Sequence, residues 1–425
     1  MGHGKKFSGW KMLFPIGIVY LFMMGFPQYG GPVNSPFLLK EIPMSRAIFG
    51  LGFTLMNLFI GVSAAVIAAP LIGRLGIRGT ALFGCSVIIL VGILYQVITE
   101  SWHYLLVQGV LLPVGICSAT MVPYGTWVAR WFKRFRGRAN GYMMAIASFG
   151  GFVAAPILGM VLQNSGGNWR LSWAVIGLVA ALGFIANWFL IKESPEAVGQ
   201  IPDGVTDDAD CQIGPKLYSD YEWTHKEAFK TRAFWIIFIG ALGFNFPFFF
   251  FIAHNVMHLK GLGLPPEFGP WSMAMFTLGG VVGRLISGYL TDRFPARYCL
   301  ALGIIPTIIG ALLNMHVSTP AVALIAAALF GAGFGWPYIA MMTTFANFFG
   351  PKPYPQIYGA HMLLAASVCS PAGLIGGIIF DMNMNYYMAF QIILGICLVS
   401  AIALSFVQMP KAPIVKTKSQ SAIIN

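Results

Sequence analysis

Apolar stretches of about 20 residues or more, the length that crosses a hydrocarbon core of roughly 30 Å, recur twelve times in this chain. They fall at about 11–39, 47–72, 79–98, 102–129, 139–163, 169–191, 233–257, 268–291, 298–315, 319–349, 355–380 and 384–409. Few folds tolerate this. Inside lipid each backbone N–H and C=O must be bonded within its own segment, so each run is expected as a helix. The predicted fold class is an all-α membrane protein with twelve transmembrane helices. A charged fraction of only 9% against 57% hydrophobic residues excludes a soluble core of this length.

The charges that remain are placed unevenly. With the N-terminus inside, 21 of the 26 Lys and Arg residues fall on the inner side and 4, Lys40, Arg46, Arg170 and Lys260, on the outer side. The positive-inside rule then predicts an even number of spans and cytoplasmic termini. The net charge of +12 reflects these short inner connections. It forms no basic face, so no nucleic-acid partner is expected. The expected location is the cell inner (plasma) membrane. The first apolar run is too long for a cleaved leader and lacks a small-residue cleavage site, so it is expected to remain as a helix. The six cysteines show no disulfide or metal spacing, and no cofactor is expected.

The cation left over is Arg284. Nine helical residues separate it from Arg293 at the predicted inner interface, roughly 13 Å at about 1.5 Å per residue, which places it near the midplane. No acid shares that depth. Glu41, Glu100, Glu267 and Asp381 lie toward outer ends, Asp292 lies at the inner end of the eighth run, and the other nine acids lie between 193 and 230. A charge at such depth costs several kcal/mol unless it is answered, so an unpaired one marks a functional site. A guanidinium offers a planar fork that holds a carboxylate by two parallel hydrogen bonds. The competing reading is a structural arginine satisfied by carbonyls of broken helices.

The polar stretch 193–230, with Pro195, Pro202, Gly204 and Pro215, divides the runs six and six. The predicted domains are an N-terminal bundle (1–192), a cytoplasmic linker (193–230) and a C-terminal bundle with its tail (231–425). Internal similarity supports the division. APLIGRLGIR (69–78) and GYLTDRFPAR (288–297) follow the second and eighth runs, and Asn140-Gly141 and Tyr358-Gly359 open the fifth and eleventh. Parallel repeats of this size resemble the major facilitator superfamily, whose two pseudo-symmetric bundles enclose one midplane site and rock about it. More narrowly, FPQYGG (26–31), RWFKRFRGRANG (130–141), KEAFKTRAFW (226–235) and GRLISGYLTDR (283–293) resemble the monocarboxylate transporters and the related oxalate/formate exchangers.

That resemblance implies a substrate-binding role for Arg284 and an aromatic cage of Tyr29, Phe334 and Tyr338, with Gln28 beside Tyr29 and Tyr124 in the wall of the fourth helix. For each aromatic the plain alternative is packing between helices. His254, in the outer half of the seventh run, is the candidate proton carrier together with Arg284, and His361 is a second candidate; each could equally be a buried neutral histidine. Asp292, Arg293 and Arg74 are the expected inner gating residues, although Gly73 stands where the superfamily pattern has an acid. Small-residue runs at 148–159 and 370–377 are read as packing and sliding surfaces.

Charge counting narrows the cargo. Oxalate exchangers add a lysine seven residues after the tyrosine of their Tyr-Gly pair, and here that position is Ala365. One arginine would leave the second charge of a dianion desolvated, a cost of several kcal/mol. The expected partners are therefore the lipid bilayer, a small monocarboxylate of the lactate or pyruvate kind, and a proton, handled by a functional monomer. Animal monocarboxylate transporters carry an aspartate one turn before the arginine and a lysine in the first span. Here Gly280 replaces the first and the second has no counterpart, so a coupled proton would ride on His254 or on the substrate. The alternatives are a carboxylate exchanger, an exporter of a larger amphiphilic anion, and a non-transporting sensor. No catalytic constellation is present, so an enzyme is not expected.

Overall fold

The computed structural model describes residues 7–132, 136–201, 223–291, 293–350 and 354–410. Most of the predicted linker (202–222), the gating candidate Asp292 and the tail from 411 lie outside them. Eleven helices among the described residues are long and apolar enough to cross a membrane, with the shorter Arg46–Val62 beside them. That helix runs on through a π turn at Ser63–Ala68, and the chain then reverses at Gly76, whose φ of 73° only glycine adopts without strain. The stretch 46–94 is thus two passes, and the passes among the described residues number twelve. No strand occurs among the described residues. Polar caps start several spans: Ser45 Oγ accepts from Ile48 N at 3.2 Å, Asn168 from Leu171 N at 3.1 Å and Thr231 from Phe234 N at 3.2 Å.

Without a hydrophobic drive between helices in lipid, close approach depends on small residues. The eighth span (Phe268–Thr291) and the tenth (Pro320–Phe349) show this most strongly. A Cβ on Gly331 would stand 1.7 Å from the Phe276 carbonyl oxygen, and one on Gly335 would stand 2.1 Å from that of Gly280. This contact fixes the lower eighth span against the tenth, and with it the frame that carries Arg284.

The two bundles meet chiefly along four spans, the second with the eleventh and the fifth with the eighth, with the first and seventh also in contact. At the outer end, Asp381 accepts hydrogen bonds from Arg46 N (3.2 Å) and Ala47 N (2.9 Å), capping the second span from the opposite bundle. Deeper in, Thr54 Oγ1 donates to the Ser370 carbonyl at 2.9 Å and accepts from Leu374 N at 3.3 Å. Lys260 Nζ donates to the Pro36 carbonyl at 3.3 Å, tying the seventh span to the first. Toward the inner end, Gly73, Gly141, Gly288 and Gly359, one on each of the same four seam spans, have open space where a Cβ would stand. The hydrogen bonds across the seam named here lie toward the end that holds Asp381 and Lys260.

Candidate functional site

Arg284 lies at the seam between the two bundles. Its Nη1 donates to Ser148 Oγ at 2.5 Å, from the eighth span of one bundle to the fifth of the other. The guanidinium carbon lies 5.9 Å from the Phe334 ring centre, within cation–π range. The hydroxyls of Tyr338, Tyr29 and Tyr20 are all within electrostatic reach. The two ion pairs among the described residues are Arg130–Glu193 and Arg170–Glu41. Arg284 therefore has hydroxyl and aromatic neighbours and no carboxylate.

The ring around it is built by helix packing. Phe334 stacks on Phe248 with centres 4.0 Å apart and lies 5.7 Å from Tyr338, one helical turn on. Tyr29, on the first span, packs against Gly151 of the fifth span in the same bundle, and Gly151 also meets the Thr277 methyl across the seam. Gln28, next in sequence to Tyr29, is buried in the first span. The structure thus gathers Arg284, Tyr29, Phe334 and Tyr338 from both bundles into one region.

Three sequence candidates fall elsewhere. Tyr124 is fully buried inside the N-terminal bundle; its hydroxyl donates to Asn187 Oδ1 at 2.8 Å, and its ring packs on Tyr20. It stands a layer behind the cage. Tyr124→Phe should cost about 1–2 kcal/mol of stability by stranding the Asn187 oxygen, read as a lower melting temperature, while the KM for substrate changes less than about twofold.

His254 belongs to the outer closure. Its Nε2 lies 2.6 Å from the Gly373 carbonyl, which requires the proton on that nitrogen, so Nδ1 accepts from the Tyr386 hydroxyl at 3.2 Å. Tyr386 in turn accepts from Arg46 Nη1 at 2.8 Å, while the Arg46 guanidinium covers the Phe380 ring at 3.5 Å. Both nitrogens of His254 are engaged, and neither faces Arg284. His361 is likewise boxed by Phe234, Phe238 and Phe345.

Arg293, in the turn just after the eighth span, is exposed and bonded to Tyr289 of that span, over whose ring it lies at 3.9 Å. Arg74 is exposed beside Gly73. The acid that is missing at Gly73 is matched by one from further along the chain. The Glu193 carboxylate accepts from Ile77 N and Arg78 N, both at 2.8 Å, and pairs with Arg130 at 3.4 Å. From the sequence Glu193 reads as part of the linker, because its partners lie 63 to 116 residues before it.

Two further residues went unread. Ser148 lies within the run assigned to packing, and its contact with Arg284 spans 136 positions. Tyr20 is buried with a hydroxyl that lacks a hydrogen-bond partner. A lone tyrosine in an apolar span carries no sign that distinguishes it from packing.

Twelve helical passes among the described residues and a half-buried guanidinium between the two bundles define a multi-pass membrane protein with a central polar site. The chain belongs to the Major Facilitator Superfamily, whose model matches residues 16–373 and 271–423. It is 26% identical to the "Probable L-galactonate transporter" of Escherichia coli over 412 residues, 88% of this chain and 83% of that protein. It is 27% identical to "Putative glycerol-3-phosphate transporter 1" of Arabidopsis thaliana over 64% of this chain and 54% of that protein. The match to "MFS-type transporter 1" of Ophiocordyceps covers 60% of the relative at 24% identity. The chain thus spans under two thirds of the length of several curated relatives. Among solved structures, the D-xylose-proton symporter superposes with a TM-score of 0.69 at 15% identity, covering 93% of this chain and 98% of that one. The nucleoside transporter NupG (D323A mutant) gives 0.67 at 12%, covering 93% and 99%. These likenesses show the fold.

Proposed function

We propose that this protein is a secondary transporter of small monocarboxylates that works by alternating access between bundles 1–192 and 231–425. The observation that carries the reading is Arg284: a guanidinium at the seam, ringed by Tyr29, Phe334 and Tyr338, with no acid partner among the described residues. A carboxylate there would gain two charge-assisted hydrogen bonds and complete a neutral pair that the closing seam can bury. One cation suits one negative charge, and Ala365 adds no second. The relative named for L-galactonate, itself a monocarboxylate, fits that count. The same relative favours a second reading, in which the cargo is a larger hydroxylated monoanion.

His254 is held in the outer closure, so in this reading a coupled proton travels with the substrate. The bilayer is the plasma membrane, and one chain is the working unit. Radiolabelled L-lactate uptake into proteoliposomes tests the proposal. Acetate, formate and pyruvate should compete and oxalate should compete little, with galactonate competing best if the second reading holds. Acidifying the outside should raise uptake severalfold. Indifference to the gradient, with uptake only into preloaded vesicles, would instead mean exchange.

A further inference from the structure

The contact between Arg284 and Ser148 has a chemical sense of its own. Ser148 Oγ donates to the Met144 carbonyl at 2.6 Å, which turns its lone pairs toward the seam. Arg284 Nη1 then donates to that oxygen at 2.5 Å. Nη1 is one of the two terminal nitrogens that a carboxylate would grip end-on. Ser148 is the last residue of the helix Arg136–Ser148, and the fifth span resumes at Gly150. The eleventh span breaks at the corresponding place, after Cys369, and resumes at Ala372. Across that second break lies Thr54, with its hydroxyl bonded to Ser370 and Leu374. The two breaks are crossed in the same way, but only the one at Ser148 is crossed by a charge.

We infer that Ser148 is the resting acceptor for Arg284, a neutral oxygen that stands in for the cargo carboxylate in the empty carrier and so permits net transport. This rests on Arg284 being the substrate anchor. To return empty, the carrier passes through a state in which the seam is shut on both sides and water has left the guanidinium. An arginine without any acceptor would make that state costly, and the protein would be confined to exchanging one loaded cargo for another. Ser148 supplies the acceptor without supplying a charge, so an arriving carboxylate, the stronger partner, displaces it. Ser148 acts through Arg284 and is a positioning residue for the transport cycle.

The experiment compares net uptake of radiolabelled L-lactate into unloaded proteoliposomes with exchange into vesicles preloaded with unlabelled L-lactate. In Ser148→Ala the ratio of net uptake to exchange should fall about tenfold, the scale of one hydrogen bond to a charged group. Ser148→Thr, which keeps the hydroxyl, should restore the ratio. If Ser148→Ala does not insert, Ser148→Cys, a weak acceptor, is read in the same way. A ratio equal to that of the unaltered protein would overturn the inference, and so would loss of both modes together, which would make Ser148 merely structural. Arg284→Gln separates the two levels. If it remains active, the anchor reading itself has failed; if it is inactive in both modes while Ser148→Ala keeps the normal ratio, only the present inference falls.

Discussion

Arg284→Gln should abolish uptake of L-lactate, lowering the rate by at least about a hundredfold, while the protein inserts and melts nearly as before. The glutamine keeps much of the bulk and two donors, but loses the charge and the fork. A carboxylate buried opposite it would be desolvated without compensation, and truncating one partner of a buried pair costs roughly 3–5 kcal/mol, enough for the stated loss. Arg284→Lys should recover little, because an ammonium is a point charge and cannot hold both oxygens in a plane. Stability is spared for a definite reason. Among the described residues Arg284 makes a single hydrogen bond, to Ser148, and glutamine removes a buried charge that burdens the fold. The measurement is initial uptake per reconstituted protein, with thermal melting as the control. Uptake retained in Arg284→Gln would remove the anchor from the proposed mechanism.

Gly50→Val should prevent the outer side from closing and cut turnover by at least about tenfold. A Cβ on Gly50 would stand 2.0 Å from the Gly373 carbonyl oxygen, 2.6 Å from its carbon and 3.2 Å from His254 Nε2. The first two atoms are helix backbone and cannot rotate aside. The second and eleventh spans would have to separate by more than 1 Å, and the bonds of Asp381 to Arg46 N and Ala47 N and of Thr54 to Ser370 would be drawn out with them. The outward-facing arrangement, which has no need of this contact, becomes the stable one. Spin labels at positions 40 and 260, on spans joined in the closed state by Lys260 and Pro36, should show a longer distance in the variant. An unchanged distance with normal uptake would mean that the contact does not govern closure.

These two residues differ in how visible they are before folding. Arg284 stands out because charge is rare in apolar runs and lipid makes it expensive. Gly50 is one of 50 glycines, and nothing local separates it from those that face open space. Likewise, Tyr29, Phe334 and Tyr338 were legible through their motifs. Tyr124 shares the same chemistry, yet its hydroxyl is taken by Asn187. His254 read as a titrating group free to meet a substrate, but it is enclosed between Tyr386 and Gly373. Periodicity does not tell which side of a span faces the seam when the span is apolar all round.

By itself, the chain determined its twelve passes, their helical character and the isolation of one cation in the eighth, because lipid forbids unpaired backbone groups and penalises charge at every depth. Only the tertiary structure decided what that cation meets, where the two bundles touch, and that Glu193 answers the loop at Gly76. Those contacts join residues from 63 to 335 positions apart, as for Glu193 with Arg130 and Asp381 with Arg46. They depend on helix faces and sub-ångström clearances that exist only once the helices have packed.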